Sequence, residues 1–230
     1  MATFVLVPGA GGQAWYWHRL VPELEARGHD AIAVELPASD PRAGLAEYAD
    51  TVVAAIGDHA ADRELVMVAQ SMGAYSATLV CDRVPVRLLV LLNAMTPRPG
   101  ESPGEWWEAT GQPAARAEKA RRDGRDPDAS FDPFVEFLHD VPQDVIASGP
   151  PSPEQSDTPF EKPWPLEAWP DVPTEFIQGR DDRFFPIEFQ RRVVEERLGI
   201  DLDELPGGHL LALSQPVALA DTLVEYVERV

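Results

Sequence analysis

Three short stretches of this 230-residue chain carry side chains that together could do covalent chemistry: Ala69-Gln70-Ser71-Met72-Gly73, Gly179-Arg180-Asp181-Asp182 and Gly207-Gly208-His209. A serine hydroxyl is a weak nucleophile until a base takes its proton, and the imidazole that does so needs a carboxylate to hold the right tautomer. Ser71, an aspartate at 181 or 182, and His209 supply these groups in that chain order. The chemistry they point to is acyl transfer, with the hydroxyl attacking a carbonyl and the imidazole moving the proton.

Ser71 follows the apolar run Leu65 to Ala69 and precedes an expected helix, so it falls on a strand-to-helix turn. A sharp turn crowds the positions two before and two after the nucleophile, and Ala69 and Gly73 are small enough to fit there. For an isolated match, a serine that merely caps the next helix is the competing reading. Attack also builds an oxyanion, which needs N–H donors already in place. The amide of Met72, at the start of the helix, is one candidate; the other lies in the loop Pro8-Gly9-Ala10-Gly11-Gly12, with Ala10 as donor. This loop could instead be an ordinary strand-to-helix turn. It contains neither G-x-G-x-x-G nor G-x-x-x-x-G-K-[ST], which argues against nucleotide binding.

The two aspartates follow an expected strand, Thr174 to Gln178, and active sites of open sheets gather at the C-terminal ends of strands. Paired aspartates also form solvated turns, so composition leaves both open. Of the five histidines, His18 sits at an aromatic helix start, His29 beside a turn, His59 at a helix end and His139 in the middle section. His209 alone stands on a glycine-flanked loop after a final strand, which suits a general base.

These residues need a scaffold. Phe4 to Val7, Ala31 to Val34, Leu65 to Ala69 and Leu88 to Leu92 are short aliphatic runs of the kind buried on both faces of a parallel sheet. Helix-like stretches lie between them at about 15–27, 45–59 and 72–84, with Gly28 as a C-cap. The alternation resumes with a strand over 174–178, a helix over 187–198, a strand over 201–205 and a helix from Pro216. This predicts an α/β, mostly parallel, doubly wound sheet, with a core over 1–95 and 172–230 interrupted by an inserted cap over 96–171. The insertion carries Trp106, Trp107, Trp164 and Trp169, of which Trp106 and Trp107 are candidate pocket walls and otherwise packing residues. Eight prolines over 150–173 predict an extended, turn-rich return, with disorder as the competing expectation. The charged run 121–128 reads as a solvated segment.

Composition narrows the partners. A net charge of −20 repels polyanions, so nucleic acid is not expected. No apolar stretch is long enough to span a bilayer, and no basic leader precedes the first strand. The lone Cys81 cannot form an internal disulfide, and no Cys–His spacing suggests a metal site. The expectation is a soluble cytoplasmic enzyme, monomer or homodimer, with a small-molecule ester as substrate, no membrane partner, no cofactor and no metal.

Three stretches carry a family resemblance: Phe4-Val5-Leu6-Val7-Pro8-Gly9-Ala10 with Ala14-Trp15-Tyr16-Trp17; Gly28-His29 leading into Leu36-Pro37-Ala38-Ser39; and Pro186-Ile187-Glu188-Phe189-Gln190 with His209-Leu210-Leu211-Ala212-Leu213-Ser214-Gln215-Pro216. The chain resembles the α/β-hydrolase superfamily, and within it the branch of plant methylesterases and hydroxynitrile lyases. The resemblance implies Ser71 as nucleophile, Asp182 rather than Asp181 as the acid, His209 as base, and Ala10 and Met72 as oxyanion donors. Pro8 and Gln70 stand where that branch usually has histidines. The resemblance also makes Gly9, Gln70 and Leu210 pocket positions. Lyases of the branch place a threonine and a lysine where this chain has Gly9 and Leu210, so cyanide would lack its charge partner. The implied activity is hydrolysis of small to medium, largely apolar carboxylic esters. The alternatives are a ligand sensor on the same scaffold, or cleavage of a thioester, lactone or C–C bond.

Overall fold

In the computed structural model, residues 1–57, 64–151 and 154–230 are described. The expected helix end at His59 lies outside them. Among the described residues the strands β1 (Ala2–Val7), β2 (Asp30–Ala33), β3 (Glu64–Gln70), β4 (Leu88–Leu92), β5 (Thr174–Gly179) and β6 (Asp203–Leu205) form one sheet in the order β2-β1-β3-β4-β5-β6. Each neighbouring pair is parallel. The order is that of a doubly wound α/β sheet, and every pairing in it is parallel.

Continuous apolar runs form the inner strands β1, β3 and β4 because both their faces are covered. Val5, Val7, Met67, Ala69, Leu89 and Leu91 face one layer, built from α2 (Leu45–Ile56), α3 (Gly73–Cys81) and α9 (Ile187–Leu198). Phe4, Leu6, Val66, Val68, Val90 and Leu92 face the other, with α1 (Val21–Ala26) and α11 (Pro216–Arg229). Successive side chains thus alternate between the two halves of the core. The expected helix over 15–27 is split into a 3₁₀ turn, Ala14–Trp17, and α1, because Pro22 fits only the first turn of a helix. Gly28 follows α1 in the left-handed region at φ 83° and ends it.

Between β4 and β5 the described residues form α4 (Pro103–Thr110), α5 (Gln112–Arg122), α6 (Pro133–Glu136), α7 (Gln143–Ser148) and α8 (Thr158–Glu161). Ser102 caps α4, accepting from the Glu105 amide at 3.2 Å while the Glu105 carboxylate accepts from the Ser102 amide at 2.9 Å. The proline-rich return is tied to the core: Trp164 is buried and its Nε1 donates to Thr78 Oγ1 at 3.0 Å, and Trp169 Nε1 donates to the Pro97 carbonyl at 3.0 Å. Within the charged run, Arg125 turns inward beside Arg116, and both pair with the buried Glu136. Among the described residues no helix is long and apolar enough to cross a membrane.

Candidate active site

The strand order reverses between β1 and β3, because β2 lies on one side of β1 and β3 on the other. Such a switch point opens a crevice at the C-terminal ends of the strands. The β1–β3 register, Val7 opposite Ala69, sets the loop after β1 beside Ser71.

Ser71 has φ 52°, a left-handed backbone that L-residues rarely adopt, at the elbow between β3 and α3. The elbow presses against the end of β1. A Cβ on Gly73 would lie 2.5 Å from the Pro8 carbonyl oxygen, and one on Gly9 would lie 2.8 Å from Ser71 Cβ. Both positions demand glycine for room, not only for backbone freedom.

Asp182 follows β5 and is fully buried. Its Oδ1 accepts from the amides of Phe184 and Phe185 at 2.8 and 2.9 Å. Its Oδ2 accepts from Asn93 Nδ2 and Gln178 Nε2, both at 3.1 Å, and lies 2.8 Å from His209 Nδ1. These donors satisfy a carboxylate that burial would otherwise penalise. Asp181 instead turns away, its Oδ2 accepting from the Gly207 amide at 3.2 Å. The carboxylate that meets the imidazole is therefore that of Asp182.

Asn93 and Gln178 were not apparent as site residues in the sequence. Asn93 directly follows β4 at φ 45°; besides donating to Asp182 it donates to the Gly208 carbonyl at 2.9 Å and accepts from the Gly179 amide at 2.9 Å. Asparagine is one of the few residues at ease in that backbone region, and an Asn closing an all-apolar strand is the one signal that could have exposed it.

The segment between β4 and β5 reaches into the same place. Phe137 stacks on the His209 ring at 4.6 Å between centroids, and Phe185 and Phe184 meet it edge-on at 5.1 and 5.6 Å. Asp140 Oδ2 accepts from the Gly208 amide at 2.6 Å. Neighbouring His139 is pushed below its ordinary range by burial and by the Arg183 charge.

Ser71 and His209 line one cavity of about 540 Å³. Its walls hold Gly9, Ala10, Gln70 and Leu210 from the expected positions, with Trp15, Tyr16, Phe131, Phe134, Phe137 and Ile146 supplying the apolar surface. Burial pushes the Tyr16 hydroxyl up, so it stays protonated. Trp106 and Trp107 do not line the cavity. Trp106 is fully buried against Phe185 and Phe189, with its Nε1 donating to the Thr96 carbonyl at 3.2 Å, and Trp107 packs beside it. A large amphipathic ring with a ready acceptor is worth more in the core than on a wall. The amides of Ala10 and Met72 have no hydrogen-bond acceptor among the described residues.

The Ser71 hydroxyl on its left-handed elbow, the His209 imidazole beside the buried Asp182 carboxylate and the amides of Ala10 and Met72 thus lie at one end of a parallel sheet. The chain belongs to the alpha/beta hydrolase family, whose model matches residues 4–222. "Probable esterase PIR7A" of Oryza sativa subsp. indica is 27% identical over 258 residues, spanning 96% of this chain and 95% of that one. "Pyrethroid hydrolase" of Sphingobium wenxiniae is 26% identical over 250 residues, spanning 99% and 88%. The crystal structure of polyneuridine aldehyde esterase shares the fold with a TM-score of 0.78 at 22% identity, covering 99% of each chain. The resemblance to the plant esterase branch thus holds across nearly the whole length.

Proposed function

We propose that this protein is a serine hydrolase of neutral carboxylic esters, working through an acyl-enzyme on Ser71. One observation carries the reading: Ser71 and the Asp182-held His209 share a cavity whose described lining has no Asp, Glu, Lys or Arg side chain. A charged substrate would lose its hydration there without compensation, so an uncharged apolar ester is favoured. The relatives named as esterases support the same reaction class.

In the proposed cycle His209 takes the Ser71 proton as the hydroxyl attacks, and Asp182 holds the imidazolium that results. The amides of Ala10 and Met72 receive the developing oxyanion. His209 then protonates the leaving alcohol, and a water activated by the same imidazole releases the acid. The segment 96–171 acts as the cap that sets substrate range, through Phe131, Phe134 and Phe137 rather than its tryptophans. Leu210 beside the base offers no ammonium for cyanide departure, which sets the lyase reaction aside.

The test is steady-state hydrolysis of p-nitrophenyl acetate and butyrate by wild type and Ser71→Ala, with mass spectrometry after a fluorophosphonate probe. Turnover and labelling that both vanish in Ser71→Ala are expected. Turnover retained by the variant would overturn the mechanism, and labelling without turnover would turn the reading towards a sensor.

A further inference from the structure

We propose that Gln155, from the proline-rich return, is a positioning residue that sets which amide serves as oxyanion donor. The inference rests on the hydrolase reading above. Of the four amides from Gly9 to Gly12 that directly follow β1, three are occupied. Gly9 N–H donates to Gln70 Oε1 at 3.0 Å, Gly11 N–H to Gln155 Oε1 at 2.8 Å, and Gly12 N–H to the Gly9 carbonyl at 3.1 Å. Of these four, Ala10 alone is left to donate, flanked by two amides that side-chain carbonyls hold in place.

The Gln155 amide is fixed at its other end as well. Nε2 donates to the Ser156 carbonyl at 2.8 Å, to Tyr48 Oη at 3.1 Å and to the Ala38 carbonyl at 3.4 Å. Its surroundings require this orientation, since Gly11 presents a donor and Ser156 and Ala38 present acceptors. The Ser156 amide also donates to the Ala38 carbonyl at 2.8 Å, tying the return to the loop after β2. Gln155 thus joins α2, the segment after β2 and the oxyanion loop at the cavity wall. Without it, Gly11 N–H would seek another acceptor, and the reacting oxyanion would be the strongest nearby. The loop would have to shift to reach it, and Ala10 would lose its aim.

Misplacement of a catalytic donor by about an ångström costs on the order of 10²-fold in rate. Gln155→Met keeps the length and removes both polar ends; it should lower kcat by about 10²-fold while KM stays within about twofold. Gln155→Glu retains an acceptor for Gly11 and should keep more activity than Gln155→Met. The second readout is binding of an aryl trifluoromethyl ketone, followed by fluorine NMR. Ser71 Oγ adds to its carbonyl carbon, the π electrons move to the oxygen, and the serine proton passes to His209. Gln155→Met should weaken this adduct in proportion to kcat and leave binding of the parent methyl ketone unchanged. Equal loss of both ketones, or unchanged kcat in a folded Gln155→Met, overturns the proposal. A wild type that forms the adduct but turns over no ester overturns ester hydrolysis alone, and the adduct series still decides the role of Gln155.

Discussion

Asn93 donates to Asp182 across 3.1 Å from a backbone held at φ 45°, so the residue that directly follows β4 fixes the carboxylate that follows β5. Asn93→Ala removes this donor, the bond to the Gly208 carbonyl and the acceptor for the Gly179 amide. It should cost about 1–3 kcal/mol in urea unfolding, since buried partners are left unpaired. Its kinetic cost should fall on kcat more than on KM, because the histidine loses alignment and the cavity wall is untouched.

Gly73 sets a limit of room. An added Cβ would lie 2.5 Å from the Pro8 oxygen and 2.9 Å from the Val7 oxygen, both backbone atoms of a buried strand end. Gly73→Ala should therefore destabilise by about 1–3 kcal/mol and displace the elbow. A melting curve and the rate of fluorophosphonate labelling, read together, would show both effects.

The tryptophan and phenylalanine readings separate cleanly. Trp106→Ala empties a fully buried site and should cost about 3–5 kcal/mol, while surviving folded enzyme keeps its preference between acetate and butyrate esters. Phe134 lines the cavity at 63% exposure, so Phe134→Ala should move stability by no more than about 0.5 kcal/mol and change KM for the longer ester.

His139 gives the fold an acid-sensitive point. Burial and Arg183 lower its pKa, while Asp140, Asp182 and Asp181 oppose the shift. A lowered histidine pKa means the unfolded chain binds the proton more readily, so this contribution is present above the unfolded value of about 6.5 and is lost as pH falls through the folded one. Urea midpoints should drop as pH falls below about 6.5. His139→Gln should flatten that arm.

Much of the scaffold was legible because its signals are local. The run Leu88–Leu92 and the amphipathic stretch Ile187–Leu198 form β4 and α9 at the bounds their patterns suggest. Strand ends also located Ser71 and the aspartate pair, since a turn after an apolar run needs only neighbouring residues to be recognised. The split of the helix over 15–27 is encoded by Pro22, which the apolar pattern around it masks. Residues that approach from afar left no such trace. Phe137, Asp140 and Gln155 come from a segment without periodicity, and only the folded chain brings them to His209, Gly208 and Gly11. Trp106 misled for a related reason: its type suits a pocket or a core, and three-dimensional packing decided between them.

The all-parallel sheet governs when such a site can come into being. Each parallel pairing closes a long loop, and β4 must find β5 across the whole intervening segment, with Leu89 opposite Thr174. Loops of that length close late and make a chain slow to fold. The pairings that hold Ser71 close shorter loops than the one between β4 and β5, and Asp182 and His209 lie beyond it in the chain. Recovery of activity on refolding should therefore lag behind recovery of helix content, marking the docking of the last two strands.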